Sequence, residues 1–491
     1  MKNNHIKYKT LMLSAMVLLT VFGCKKTLDI NVSPNNPLIE TTTPEVLFPS
    51  AVASTAGRVG GELTILGGIW SQYYTQANAS NQYKTIDSYA LTRNDLNGSY
   101  NELFSGALAD YQLAINLATA KADWRYNLMA TVMKAYTYQV LVDLYDKVPY
   151  SEALKGVNNL QPKFDDGYTI YVGLLAEINA ALAKDYTGTP LNSEQKKTDF
   201  IFGGDMDQWT KFANTLKLKM YLRMVNAKPA EAQTGINQLY ANGANFLTTD
   251  AGIASFDDTP DNSNPFYEYN VRRLNTTTNL RASKTFTSWL AANGDPRARY
   301  YFGTPSPVPM NQGDYTATAI QQPTYASATV FAQSAKDPVW FISAAESYFM
   351  QAEALERYFG GGGAAAMYQN GVRAAFTQVG LASSTIPAPY LVYSTGAFEQ
   401  KLEQIIVQKW ASFPGSHSLE GFFEQERTGY PKTSAVYSTD GSYVAGQWVY
   451  SKNGVTSGLF PKRLVYPASS RDRNNNTPAE VPITTKVWWG K

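Results

Sequence analysis

Residues 123–150, DWRYNLMATVMKAYTYQVLVDLYDKVPY, constrain this chain more than any other stretch. Leu128, Val132, Ala135, Tyr136 and Gln139 recur at helical spacing, and Pro149 stops the run. Similar patterns surround it. NELFSGALADYQLAINLATA (101–120) places Leu103, Ala107, Tyr111 and Ala114 on one stripe. Residues 167–186 carry Leu174, Ile178 and Leu182 four apart. Residues 207–226 put Trp209, Phe212, Leu216, Met220 and Met224 on one face, with Asp207 as a candidate N-cap. FISAAESYFMQAEALERYF (341–359) is ended by GGGG at 360–363, and residues 364–380 form its expected antiparallel neighbour. Residues 398–413 and 419–430 add two more helical patterns. Consecutive pairs with small Ala positions are what stacked helix-pair repeats of the tetratricopeptide type require, although no fixed period is visible.

Other segments break the pattern. Residues 243–335 are rich in Thr, Asn, Asp, Ser, Gly and Pro, interrupted by one helical piece at 281–297. Loops that long inside a folded body are uncommon unless they serve function. The last 60 residues again read as irregular. The predicted fold is therefore mainly α, a tetratricopeptide-like helical-repeat scaffold with long irregular loops and a few short strands.

The N-terminus supplies a different signal. MKNNHIKYKT carries Lys2, Lys7 and Lys9 and no acid, and the apolar run 11–23 follows it. That is a secretory signal, too short to be the roughly 20-residue span of a membrane helix. Cys24, the only cysteine in 491 residues, follows it directly. One thiol forms no disulfide within the chain and no thiolate metal cluster. The junction Val21, Phe22, Gly23, Cys24 resembles the lipobox of bacterial lipoproteins, which predicts a lipid anchor on Cys24. An ordinary signal peptide with an incidental cysteine is the alternative. Acyl chains contribute about 0.8 kcal/mol per buried methylene, so a multiply acylated Cys24 holds the protein firmly on a membrane. Residues 24–49, with Pro34, Pro37, Pro44 and Pro49, read as a tether. The expected organisation is signal 1–23, tether 24–49 and one body 50–491.

Removing the signal deletes three lysines, so 42 basic residues become 39 against 40 acids and the formal charge moves from +2 to −1. That balance leaves no basic footprint for nucleic acid. His417 is the one histidine outside the signal. It lies at a helix start, where a structural role is expected. Cysteine nucleophiles, HExxH zinc sites and Cys–His clusters are excluded from the mature chain, and GxxxxGK[ST] is absent. No cofactor is expected. FDDTPDNSN (256–264) lacks EF-hand spacing and reads as an Asx-rich turn rather than a calcium loop. Glycoside hydrolysis survives because it needs only two carboxylates. Glu346 and Glu353 share a helix face, but on a helix lined by Ala and Tyr capping or pairing with neighbouring elements is the better reading.

LVDLYDKVPYSEAL (141–154), WTKFANTLKLKMYLRM (209–224), SKTFTSWLAANGDPR (283–297), FISAAESYFMQAEAL (341–355), IIVQKWASF (405–413) and RLVYP (463–467) occur in the order typical of SusD/RagB-like outer-membrane lipoproteins. The chain resembles the shorter SusD-like branch over nearly its whole mature length. The resemblance implies a tetratricopeptide-like scaffold on the cell surface, anchored to the outer membrane. It implies capture of oligosaccharide, without catalysis, as the lid of a SusC-like TonB-dependent transporter. Some relatives take peptides, so the same architecture binding peptides or another small nutrient is the alternative; a glycoside hydrolase or a pure protein-binding scaffold is a further one.

These motifs belong to the scaffold, so the ligand site must be argued locally. IWSQYYTQANASNQYKTIDSYALTRND (69–95) mixes aromatic and amide side chains. NPFYEYNVRR (264–273) adds Tyr267, Tyr269, Arg272 and Arg273. Sugar rings offer apolar C–H faces to aromatic rings and hydroxyls to amides and charges. Asn78, Asn81, Tyr83, Tyr267, Tyr269 and Arg272 are the expected ligand contacts. Trp70, Tyr73 and Tyr74 are candidates for the core.

Overall fold

The computed structural model describes residues 42–491 apart from Ser416. Cys24, the signal and the tether to residue 41 lie outside the described residues. Helix α1 (Pro44–Val59) begins inside the segment expected to be tether. The prolines do not prevent this. Pro44 opens the helix, where a missing N–H costs nothing. Pro49 removes one internal hydrogen bond, a penalty of about 3 kcal/mol. Burial of Leu47, Phe48 and Val52 offsets it at roughly 1.5–3 kcal/mol each. Phe48 meets Tyr111, Tyr126 and Trp209 with ring centroids 5.7–6.4 Å apart.

Helix α2 (Glu62–Trp70) follows, then α3 (Ala109–Ala120), entered through a helical lead-in at 97–108. Helix α4 (Trp124–Tyr145) is buried at every residue from Tyr126 to Tyr145 and packs against α1, α3, α5 (Gly167–Leu182) and α6 (Met206–Met224). A helix covered on all faces has little amphipathic contrast, which is why its stripe reads so broadly in the sequence. Asp123 caps α4 by accepting from the Tyr126 N–H. Helix α6 is capped by Asp205, not by Asp207 as the sequence suggested. Asp207 stands in the first turn and pairs with Lys211 at 2.6 Å. Helix α7 (Pro229–Ala241) packs on α6.

The 243–335 region is loop, as its composition predicts, with a helical piece trimmed to α8 (Lys284–Ala292). Helices α9 (Ala344–Tyr358) and α10 (Ala364–Gln378) form the expected pair; α11 (Phe398–Ala411) and α12 (Ser418–Thr428) follow. Three antiparallel two-stranded ribbons pin the loops: β1 (Tyr74–Gln76) with β5 (Leu280–Ala282), β2 (Lys147–Pro149) with β3 (Phe164–Asp166), and β4 (Ala251–Ile253) with β6 (Val339–Ile342).

A buried ionic cluster joins the helices. Arg223 on α6 binds Asp143 on α4 at 3.0 Å and Glu420 and Glu424 on α12 at 2.8 and 2.7 Å. Lys219 reaches Glu346 and Glu420, and Arg427 clasps Glu353 and Glu424 at 2.6 Å each. His417 lies 2.8 Å from Glu346. Both acids weighed as a hydrolytic pair are thus committed to cations inside the protein. The adjacent bases hold the Glu353 carboxyl at about 2, well below the ordinary glutamate value, with Arg427 as the strongest charge partner opposing the burial penalty.

Candidate functional site

The two loop clusters singled out in the sequence meet in space. Strand β1 delivers residues 77–83 and β5 delivers the end of the 264–279 loop, with Tyr74 opposite Ala282 and Gln76 opposite Leu280. The Ala77 N–H donates to the Asn279 carbonyl at 2.8 Å. Gln76 closes the first loop, its amide oxygen accepting from the Tyr83 N–H at 2.6 Å. The Tyr83 hydroxyl then donates to the Tyr269 carbonyl at 3.2 Å.

Asp87 lies beneath this junction. Its carboxylate accepts from the Thr75 hydroxyl at 2.6 Å, the Gln76 N–H at 2.7 Å and the Gln312 amide at 3.0 Å. Burial pushes its pKa up to about 6 despite these donors. Gln312 brings in a third loop, and the Tyr437 hydroxyl donating to the Gln312 carbonyl at 2.7 Å adds a fourth from the C-terminal region. Gln72 fastens that region again, donating to the Val449 carbonyl and accepting from the Val449 N–H. Gln72 holds φ at 60°, a left-handed turn that carries α2 into β1. Four loop segments are therefore hydrogen-bonded into one assembly.

The expected contact residues occupy different depths in it. Asn81 is exposed, and Asn78, Tyr267, Tyr269 and Arg272 are half-buried. Tyr83 is 7% exposed and supports the loop from below. The helical turn Pro265–Tyr267 is capped by Asn264, which accepts from the Tyr267 N–H at 3.0 Å. Arg272 stands over the Tyr267 ring at 5.4 Å and is held by Glu268 and Asp258. Arg273 covers the Tyr269 ring at 4.3 Å, and Arg58 donates to the Tyr269 hydroxyl at 2.5 Å. Tyr269, Arg58, Arg273, Glu102, Asp261 and Glu268 line a cleft of about 400 Å3.

Trp70, Tyr73 and Tyr74 are core, with the Tyr73 hydroxyl donating to the Trp410 carbonyl at 2.7 Å. Sequence reasoning passed over Tyr315 and Tyr437, two aromatic residues covered by Lys84 and Lys452 at 5.2 Å each. Each stands alone among Thr, Asn, Ser and Gly, so neither forms a cluster along the chain. Residues 257–262 form a closed Asx turn, with Asp257 accepting from the Thr259 N–H at 2.8 Å and from the Asn262 amide at 2.7 Å. Among the described residues no group of three or more His, Cys, Asp or Glu side chains is placed to hold a metal, and no helix is long and apolar enough to cross a membrane.

A helical scaffold that fixes long aromatic and amide-bearing loops into one assembly defines a helical-repeat protein with a loop-built surface. Residues 35–467 match the SusD-like family described as starch-binding and associating with outer membrane, and the chain belongs to that family. Solved structures share the fold. A SusD homolog from Bacteroides uniformis is 21% identical, covering 91% of this chain and 99% of its own, with a TM-score of 0.73. A chitin-binding SusD homolog from Flavobacterium johnsoniae is 20% identical over 90% of this chain and 98% of its own, with a TM-score of 0.72. A SusD homolog from Bacteroides ovatus is 21% identical over 90% and 99%, with a TM-score of 0.70. No curated protein matches the chain.

Proposed function

We propose that this protein is a cell-surface lipoprotein that captures oligosaccharide on its loop assembly, without catalysis, and passes it to a SusC-like TonB-dependent transporter. The observation that carries the reading is the four-loop assembly, in which half-buried tyrosines and exposed amides are fixed by buried hydrogen bonds. Preorganised loops lose little conformational entropy when a sugar binds. Membership of a starch-binding, outer-membrane-associated family supports the ligand class, as does the chitin-binding relative. Lipid on Cys24 supplies the membrane attachment in this reading. Shallow wet sites of this kind bind at roughly micromolar to millimolar Kd, about −8 to −4 kcal/mol.

The test is binding of the protein lacking residues 1–24 to a panel of starch, chitin oligosaccharides, other polysaccharides and mixed peptides. Asn81→Ala and Tyr267→Ala run alongside. Retention by one glycan, weakened by either substitution, is the expected result. Retention of peptides alone would replace the sugar assignment with a peptide one.

A further inference from the structure

A second cleft, of about 490 Å3, opens far along the chain from the loop assembly, among helices α5, α6 and α7. Each helix gives it one stripe. Thr210, Asn214, Lys217 and Tyr221 lie on α6 at i, i+4, i+7 and i+11; Gly235, Gln238 and Leu239 lie on α7, with Asn242 just beyond its end. Asn179 and Leu182 come from the last turn of α5, followed by Tyr186. Gly235 is required here, because a Cβ at that position would fall 2.2 Å from the Tyr221 ring.

The lining contains one cation, four amides, two phenols and no carboxylate. Lys217 is half-buried, and among the described residues it makes no ion pair or side-chain hydrogen bond. Burial alone lowers its pKa, with no acid opposing that. Every other lysine or arginine in the helical core named above has a carboxylate partner. An ammonium withdrawn from water without a counter-charge is a standing cost that an anion removes. The C-terminal turns of α5 and α7, negative ends of their dipoles, line the same cleft and repel an anion in proportion to its charge, so a dianion such as phosphate is penalised more than a monoanion. A single carboxylate beside hydroxyl groups satisfies both conditions, with Lys217 taking the charge and the amides and tyrosines taking the hydroxyls.

We propose that this cleft is a second binding site, specific for an acidic sugar whose carboxylate pairs with Lys217. The site does not depend on the loop assembly, and its test separates the two. Isothermal titration calorimetry of the full folded body is carried out with digalacturonate, cellobiose and an aspartate-rich peptide. Digalacturonate binds at least tenfold more tightly than cellobiose. Lys217→Met weakens it at least tenfold while leaving the thermal midpoint unchanged or higher, since an unpaired half-buried charge has been removed. Asn242→Ala, at the exposed rim, weakens it several-fold and serves where Lys217→Met does not fold. Tyr267→Ala leaves digalacturonate binding unchanged. The proposal is overturned by no digalacturonate binding, by equal affinity in Lys217→Met, by tighter binding of the peptide, or by loss of the signal in Tyr267→Ala.

Discussion

The Tyr83 hydroxyl donates to the main-chain carbonyl of Tyr269 at 3.2 Å, joining two loops 186 residues apart in the chain. Tyr83 is thus a strut under the surface on which Asn81 and Tyr267 are displayed. Tyr83→Phe removes one hydrogen bond and should cost about 1 kcal/mol of unfolding free energy. Tyr83→Ala also leaves a void, and about 3–5 kcal/mol is expected. Urea denaturation of both variants checks the ranking; equal costs would show that the hydroxyl alone matters.

Asp295 and Arg297 form a fully buried pair at 2.7 Å, and the Tyr390 hydroxyl donates to the same Asp295 oxygen at 2.9 Å. Arg297 also lies over the Phe376 ring at 4.7 Å. Asp295→Asn leaves a buried guanidinium without its charge partner, a loss of about 3–5 kcal/mol. The double variant Asp295→Leu, Arg297→Met should cost less than the sum of its single changes. Chemical denaturation of Asp295→Asn measures the first loss, and that of the wild type, Asp295→Leu, Arg297→Met and the double variant closes the cycle.

Helices α2 and α12 touch backbone to backbone at Gly67, where a Cβ would fall 2.4 Å from the Leu419 Cα. Neither helix has a flexible side chain to yield at that point. Gly67→Ala should therefore lower stability by at least the roughly 1–3 kcal/mol typical of overpacking. A thermal midpoint equal to that of the wild type would contradict the close approach.

Glu426 is 1% exposed and has no salt-bridge partner among the described residues. Burial raises its pKa to about 8, against an attraction from Lys462 that works the other way. Between an unfolded value near 4.3 and that folded value, the native state holds a proton that the unfolded state has released. Stability therefore falls as pH rises through this window. Glu426→Gln removes the titration, so its stability should change less between pH 5 and pH 9. Parallel denaturation series at the two pH values measure the difference.

The helices were legible because their apolar stripes persist over several turns, and α9 and α10 were separable because GGGG stands between them. The start of α1 was not, since prolines at 44 and 49 outweigh its apolar residues locally and partners distant in the chain, Tyr111, Tyr126 and Trp209 among them, make its burial worthwhile. The cap of α6 was misplaced by two residues because Asp205 and Asp207 offer the same side chain. In the loops, the sequence showed which segments were rich in aromatics and amides but not their depth. Tyr83 and Asn81 differ by two positions, yet one is inside and the other outside. That division is decided by residues hundreds of positions away, such as Tyr269, Gln312 and Tyr437.

The buried ionic cluster has one donor that arrives late in the chain. The Trp489 indole N–H donates to the Asp143 carboxylate at 2.7 Å from 346 residues downstream, and its ring lies 4.9 Å from the Arg223 guanidinium. A nascent chain that has not yet emerged that far leaves Asp143 short of a ligand and Arg223 open on one face. The helices can form beforehand, but they cannot lock. Consolidation is therefore coupled to synthesis reaching Trp489, and a product that stops short of that residue carries an unsealed core.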